Sequence, residues 1–254
     1  MKQIFTSLGI NTVLLDFDNT LIETHVIFQK CCRSLRADLA QKAKVSVDEI
    51  KKDFDVFMAE AYNQYFVNPE KVWKYVFTQL ANLYPVLNDS INESLQRVFD
   101  EIYNVPIPLK EGALELLQTL NDITDLKIGL VTHAERDWTI RKLRDAGLID
   151  LFPEENIFDV PVTGPKTTQH WQYALDQMNG IAENTLFIGD NLRADIVPAL
   201  EIGALGVLLK EDTNWDFHHE GLMEESRQFI TIGSLLEIES ALSEFSEGGL
   251  PPIA

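Results

Sequence analysis

The sequence predicts an α/β protein whose core is an open, parallel β-sheet with helices on both faces, and a helical domain inserted into that core. Three observations support this fold class. A short apolar run at residues 12–15 ends abruptly in polar residues, and residues 24–104 carry a helical pattern with little strand character. From residue 111 onwards, short apolar runs alternate with helical segments. Such alternation is typical of a parallel sheet that is covered on both sides.

The first strand is predicted at residues 12–15, where the sequence reads Thr12-Val13-Leu14-Leu15. A short apolar run without alternation is typical of a strand that is buried on both faces. The run stops at Asp16, so a carboxylate follows directly on the strand.

The inserted domain is predicted at residues 24–105, between core segments 1–23 and 106–254. About four helices are expected there, because helix-start signals recur along the segment. These signals are Ser46 with Glu49, Asn68 before Pro69, and Ser90 with Glu93. The run Val105-Pro106-Ile107-Pro108 breaks the helical pattern and is predicted to be the boundary.

The remaining core is predicted to alternate strands with helices. The strands are expected at 127–131, 156–160, 185–188, 205–209 and 229–232, and the helices at 111–120, 135–146, 168–178, 195–202 and 234–245. Ligands of such sheets bind at the carboxyl ends of the strands. Polar residues of catalytic type follow three strands: Asp16 and Asp18, Thr132, and Asp190 with Asp195.

Up to four carboxylates would therefore converge at one edge of the sheet, where they would repel one another. A divalent cation between Asp16 and Asp190 would offset this repulsion, and oxygen ligands favour a hard ion such as Mg²⁺. In a phosphatase reaction, Asp16 is the candidate nucleophile and Asp18 the candidate acid and base. Thr132 and Lys166 are the candidate donors to the phosphoryl oxygens.

These residues resemble the motifs of the haloacid dehalogenase superfamily. The run from Val13 to Leu21 resembles the first motif, Thr132 after Gly129-Leu130-Val131 the second, and the run from Gly189 to Asp195 the fourth. The resemblance implies a Rossmann-like core and an aspartyl-phosphate formed on Asp16. It implies Mg²⁺ bound by Asp16, the Asp18 carbonyl and Asp190, with Asp195 in support. It also implies that the insertion is a mobile cap over the site.

Two positions depart from the family pattern. The third motif is usually a lysine before Pro-x-Pro, whereas the run here is Gly164-Pro165-Lys166-Thr167-Thr168, with Lys166 one residue later than expected. If this loop turned Lys166 outward, Arg193 or Arg136 would serve instead. His133 stands where the family often has Asn, so it is a candidate contact to the phosphate or the leaving group, with packing at the strand end as the alternative.

The charge balance argues against polyanionic partners. The 254-residue chain has 21 Lys and Arg against 40 Asp and Glu, a formal net charge of −19. Such a surface repels nucleic acid and anionic membranes. We expect no signal peptide and no membrane span, and the adjacent Cys31 and Cys32 favour reduced thiols in the cytoplasm. The pair His218-His219 lacks a third ligand at clear spacing and is expected to be an exposed loop.

The sequence therefore predicts a magnesium-dependent phosphomonoester hydrolase that acts on a small phosphorylated metabolite. Two alternatives stay open: a phosphomutase of the same mechanism, and a non-catalytic regulatory protein on the same fold. A haloacid dehalogenase is disfavoured, because the dehalogenases of the family do not have aspartate at the position of Asp18.

Overall fold

The computed structural model of the chain describes residues 1–66, 68–161, 164–210 and 229–248. The chain divides into two compact units. The first comprises residues 1–23, 108–160 and 166–254, and the second comprises residues 24–107 with 161–165. The expected insertion, 24–105, falls in the second unit, and its role as a mobile cap stays a prediction.

The first unit is built on a parallel sheet. Over the described residues the sheet has six strands in the order β3-β2-β1-β4-β5-β6, and all neighbouring strands run parallel. The strands are β1 (Thr12–Leu15), β2 (Lys127–Thr132), β3 (Ile157–Asp159), β4 (Thr185–Gly189), β5 (Leu205–Leu209) and β6 (Ile230–Ile232). The α/β fold class and the parallel sheet are confirmed.

Strand β1 lies at the centre of the sheet, because both of its edges are paired. Leu15 is level with Leu130 of β2 on one side and with Ile188 of β4 on the other. Every residue of β1 and β4 is buried, which explains the continuous apolar runs that predicted them. The chain continues from β1 to β2 on one side and later returns to β4 on the other, so a topological switch point, where such sheets bind ligands, lies between β1 and β4.

Helices flank the strands and make up the second unit. They are α1 (Lys2–Leu8), α2 (Thr24–Ala43), α3 (Val47–Tyr65), α4 (Pro69–Leu83), α5 (Ile91–Val98), α6 (Ala113–Asn121), α7 (Arg136–Asp145), α8 (Thr168–Gln177), α9 (Val197–Glu201) and α10 (Ile238–Gly248). In the first unit, Trp171 of α8 packs edge-on against Phe187 of β4, with ring centroids 4.7 Å apart. Both rings are fully buried, so this contact anchors α8 on the sheet.

The second unit has an aromatic core of its own. Trp73 of α4 is buried and stacks on Phe77 at 5.9 Å, and the rings of Phe28 and Phe54 lie 5.5 and 6.1 Å from it. The indole nitrogen of Trp73 donates to the Tyr103 hydroxyl at 3.1 Å, so its polar atom is satisfied. The helices of this unit therefore bury a continuous hydrophobic cluster.

Two of the three predicted helix caps in the second unit are confirmed. The side chains of Ser46 and Asn68 each accept a hydrogen bond at 3.1 Å from the backbone N–H three residues later. The capping box at Ser90 is wrong. A 3₁₀ helix, Pro85–Ser90, runs directly into α5, and the Ser90 hydroxyl donates to the Leu87 carbonyl at 3.0 Å instead.

Two further elements differ from the sequence-based expectation. Helix α1 was not predicted, because it is short and Phe5 is its one buried residue. The helix expected at 195–202 begins earlier, as a π-helical turn at Leu192–Ile196 that leads into α9. The loop expected at His218 and His219 lies outside the described residues. Among the described helices, none combines the length and the apolar composition that a membrane crossing requires.

Candidate active site

The chain turns sharply after β1, and this turn shapes the first half of the site. Phe17 is fully buried, and its carbonyl accepts the N–H of Leu21 at 2.9 Å. Asn19 adopts the left-handed conformation, with φ of 64°, which asparagine tolerates better than most residues. The turn brings Thr20 back towards the strand end, where its hydroxyl donates to Asp16 Oδ2 at 3.0 Å.

The loop after β4 supplies the second half. Asn191 Oδ1 accepts two backbone N–H groups at 3.0 Å, which starts the π-helical turn that carries Asp195. Asp195 Oδ2 in turn accepts the N–H of Asn191 at 3.0 Å. On the same loop, Asp190 Oδ1 lies 3.5 Å from the Thr20 hydroxyl. Thr20 therefore contacts carboxylates that follow two different strands, β1 and β4.

Lys166 lies between two of these carboxylates. Its ammonium group forms ion pairs with Asp16 Oδ1 and with Asp195 Oδ1, the latter at 2.8 Å. The side chain is buried, and the ammonium lies 5.4 Å from the ring centroid of Trp171. Lys166 thus faces the carboxylates although its motif is shifted by one residue. Arg136, one of the two alternatives to it, instead donates to two backbone carbonyls at 2.8 and 2.9 Å.

Burial and the neighbouring charges shift the pKa values of the clustered groups. Burial raises the pKa of Asp195 to about 6, although the ammonium of Lys166 works in the opposite direction. Burial, together with the charges of Asp16 and Asp195, raises the pKa of Asp190 well above its usual range. Burial lowers the pKa of Lys166, but the two paired carboxylates outweigh it and the net shift is upward. The lysine is therefore charged, and the cluster still carries more negative charge than it can offset.

The acidic cluster fits a divalent cation. One oxygen from each of Asp16, Asp190 and Asp195 lies within 4.8 Å of the others, and carboxylate oxygens are the ligands that Mg²⁺ prefers. The Asp16 oxygens accept from Lys166 and Thr20, and the Asp195 oxygens accept from Lys166 and the Asn191 backbone. Asp190, whose Oδ1 lies 3.5 Å from the Thr20 hydroxyl, is therefore the carboxylate of the three that is most available to a cation. The raised pKa of Asp190 marks a carboxylate that a nearby cation would stabilise.

Thr132 and His133 stand at the end of β2, beside the end of β1. Because Leu15 is level with Leu130, Thr132 lies at the same edge of the sheet as Asp16. The Thr132 hydroxyl is buried and has no hydrogen-bond partner among the described residues. A buried hydroxyl without a partner is costly, so a bound acceptor such as a phosphoryl oxygen would suit it. His133 follows directly and is partly exposed.

The environment of Asp18 contains a residue that sequence reasoning missed. Lys142 of α7 donates to both carboxylate oxygens of Asp18, each at 2.7 Å. Its ammonium also lies 4.3 Å from the Trp138 ring centroid, one helical turn earlier. A signal was present in the sequence: Lys142 lies next to Leu143 and one turn after Thr139 and Trp138, on the buried face of a helix. A lysine at such a position usually has a buried acidic partner.

Comparison with known proteins identifies similar sequences among hydrolases. A family model described as haloacid dehalogenase-like hydrolase matches residues 10–203. Pyrophosphatase PpaX of Oceanobacillus iheyensis is 25% identical over 239 residues, which cover 89% of this chain and 97% of the relative.

Solved structures share the fold. A haloacid dehalogenase-like hydrolase from Xanthomonas campestris has a TM-score of 0.72 at 18% identity, covering 94% of both chains. The putative HAD-hydrolase YfnB of Bacillus subtilis, in a crystal structure bound to magnesium, has a TM-score of 0.67 at 21% identity, covering 92% of this chain and 99% of that chain. At these identities, the structures are evidence for the fold alone.

The first prediction concerns Gly189, whose lack of a side chain lets Asp195 approach the strand end. A Cβ at this position would lie 2.6 Å from Asp195 Cγ. Gly189→Ala should therefore displace Asp195 from Lys166 and lower the free energy of unfolding by ~1–3 kcal/mol, as overpacking does. Denaturant unfolding measures this loss. Gly233→Ala is the control, since among the described residues a Cβ there would meet only the Glu237 oxygens, at 3.6 and 3.9 Å. Equal stability of the two variants would contradict the prediction.

The second prediction concerns protons released on metal binding. Because the pKa of Asp190 is raised, its carboxyl group keeps its proton to higher pH than usual and must lose it to bind a cation. Mg²⁺ affinity should therefore weaken as the pH falls through the raised pKa of Asp190, and binding should release protons. Titration calorimetry in buffers of different ionisation enthalpy measures both. Asp190→Asn should lose most of the affinity and the proton release. A pH-independent affinity in the unaltered protein would contradict this.

Proposed function

The chain belongs to the haloacid dehalogenase-like hydrolase family, and we propose that it is a magnesium-dependent phosphomonoester hydrolase that acts on a small phosphorylated metabolite through an aspartyl-phosphate intermediate. The observation that carries the proposal is the setting of Asp16. This buried carboxylate lies at a sheet switch point, contacts Lys166 and Thr20, and shares a cation-competent cluster with Asp190.

Asp16 is proposed to be the nucleophile. Its two oxygens are held separately, Oδ1 by Lys166 and Oδ2 by Thr20, so the carboxylate has a fixed orientation before substrate arrives. In the first step an Asp16 oxygen bonds to phosphorus as the bond from phosphorus to the ester oxygen breaks. This forms an aspartyl-phosphate, which water then hydrolyses.

The positive charge that an anionic phosphate requires is local. Lys166 can reach a phosphoryl oxygen from its position beside Asp16, and the buried Thr132 hydroxyl offers a second donor. Asp16 and Asp190 would hold Mg²⁺, which supplies Lewis-acid charge neutralisation at the phosphoryl group when bound. The crystal structure of YfnB bound to magnesium supports this choice of ion.

Asp18 is proposed to transfer the protons. It gives a proton to the departing ester oxygen and later takes one from the water that attacks the aspartyl-phosphate. Unlike Asp16, its side chain is 27% exposed, as a group that exchanges protons with a leaving group and with water requires.

Pyrophosphate is a second candidate substrate. A relative named Pyrophosphatase PpaX is 25% identical to this chain along 97% of its own length. Both candidates place a terminal phosphoryl group on Asp16 and differ in the leaving group, which is an alkoxide or a phosphate. A screen of phosphorylated metabolites that includes pyrophosphate, read as release of inorganic phosphate, separates them. Transfer of phosphate to another sugar phosphate without net release would favour the phosphomutase alternative.

The third prediction tests the nucleophile. Asp16→Asn is nearly isosteric, but an amide cannot attack phosphorus, so turnover should fall by at least ~10³-fold while the fold is retained. Hydrolysis of an aryl phosphate with Mg²⁺ measures turnover, and circular dichroism checks the fold. Asp145→Asn, at an exposed position on α7, is the matched control and should keep normal activity. Substantial activity of pure Asp16→Asn protein would rule out this mechanism.

The fourth prediction tests Lys166. Lys166→Met keeps the side-chain volume but removes the donor, so kcat should fall by ~100-fold, the usual loss for one transition-state donor. The low kcat should persist at saturating Mg²⁺, which distinguishes a direct role from weakened metal binding. Arg193→Met, at an exposed position near Asp190, should change kcat by less than about threefold. The reverse pattern would assign the phosphate clamp to Arg193.

A further inference from the structure

We propose that Lys142 is a positioning residue that holds the Asp18 carboxylate for proton transfer to the leaving group. The inference rests on the proposed function, since it assigns a role to Lys142 only through Asp18. It concerns a residue outside the motifs that identified the site.

The contact between the two side chains is specific. The Lys142 ammonium lies 2.7 Å from both Asp18 oxygens, so both oxygens of the carboxylate contact the same nitrogen. The Lys142 side chain is 4% exposed and the Asp18 side chain 27%. A surface ion pair is worth little, but a buried ammonium must be compensated, and this carboxylate provides the compensation.

Aromatic rings complete the pocket of the ammonium. The Lys142 Nζ lies 4.3 Å from the Trp138 ring centroid and 4.9 Å from that of Phe17. Phe17 is fully buried next to Asp18, and Trp138 lies one turn before Lys142 on α7. Cation–π contacts with both rings help to fix the ammonium, so its position is set by α7 and by the β1 turn as well as by Asp18.

The backbone around Asp18 is already constrained by the turn, so only the side-chain torsions of Asp18 stay free to vary. Asp18 forms a bridge with Ile22, and the N–H of Asn19 donates to the Ile22 carbonyl at 2.8 Å. Because Lys142 contacts both carboxylate oxygens, it restricts the two side-chain torsions of Asp18, which the turn leaves free. A misplacement of about 1 Å can cost on the order of 100-fold in rate, so such a restriction is of catalytic size.

The contact between Lys142 and Asp18 is compatible with the proton transfers of the reaction. An ammonium has several N–H donors and needs only one carboxyl oxygen to keep the group in place. The other oxygen can then carry the proton. As the bond from phosphorus to the ester oxygen breaks, its electron pair goes to that oxygen, which takes the proton from Asp18. The Asp18 carboxylate later accepts a proton from the water that attacks the phosphorus of the aspartyl-phosphate.

The fifth prediction separates this role from a structural one by varying the leaving group. Dinitrophenolate departs without protonation, whereas phenolate needs an acid more strongly. Lys142→Met keeps the apolar stem between the aromatic rings but removes the charge. Its kcat/KM for phenyl phosphate should fall by ~30–100-fold, and for dinitrophenyl phosphate by less than about threefold. The ratio kcat/KM is used because it reports the steps up to departure of the leaving group.

Reference variants define the outcomes. Asp18→Asn should show the same dependence on the leaving group, and adding Lys142→Met to it should cause no further loss, because both remove one function. Arg144→Met, at an exposed position on the same helix, should leave both substrates unaffected. Should Lys142→Met fail to fold, Lys142→Leu, which also lacks a donor, should show the same dependence.

Equal losses on the two esters, or a double variant whose losses multiply, would overturn the role of Lys142 and leave the proposed function standing. A wild-type protein that hydrolyses neither ester with Mg²⁺, or an active Asp16→Asn variant, would overturn both.

Discussion

The repulsion among three carboxylates is the constraint on which the rest of the site depends. Asp16, Asp190 and Asp195 present oxygens within 4.8 Å of one another, in surroundings that exclude most water. Two like charges at about 4 Å repel by about 4 kcal/mol at an effective dielectric constant of about 20. Lys166 offsets part of this by pairing with two of them. Burial, together with the repulsion that remains, raises the pKa values of Asp190 and Asp195. The excess negative charge is what fits the cluster to a cation.

The sheet meets this constraint by its strand order. Since β1 is flanked by β2 and β4, residues at the ends of three different strands reach the same edge of the sheet, although they are more than 100 residues apart in places. The parallel register of Leu15 with Ile188 places Asp16 level with Gly189, one residue before Asp190. Gly189 then permits what a larger residue would prevent, the close approach of Asp195 to the end of β4. The strand order thus brings the carboxylates to one edge of the sheet, and the absence of a side chain at Gly189 leaves room for Asp195.

Features that depend on local pattern were predictable from the sequence, and features that depend on packing were not. The apolar run before Asp16 and the Gly189-Asp190 pair predicted both strand ends, because burial on two faces leaves a continuous apolar signal. The inward turn of Lys166 could not be derived, since its motif is shifted by one residue and its direction is shown by its contacts with Asp16 and Asp195. Lys142 was missed for a similar reason. Its partner Asp18 is 124 residues away, and periodicity shows a buried face but not what faces it.

Two lysines each pair with one of two carboxylates that are only two residues apart: Lys166 with Asp16, and Lys142 with Asp18. Asp16 is buried and held by Lys166 and Thr20, which suits a nucleophile that must keep its orientation and be shielded from water. Asp18 is partly exposed and held by Lys142, which suits a group that must reach both a leaving oxygen and an attacking water. Residue type does not distinguish these aspartates, so the roles proposed for them follow from their surroundings. The second lysine thus gives Asp18 an environment of its own, separate from the charge cluster around Asp16.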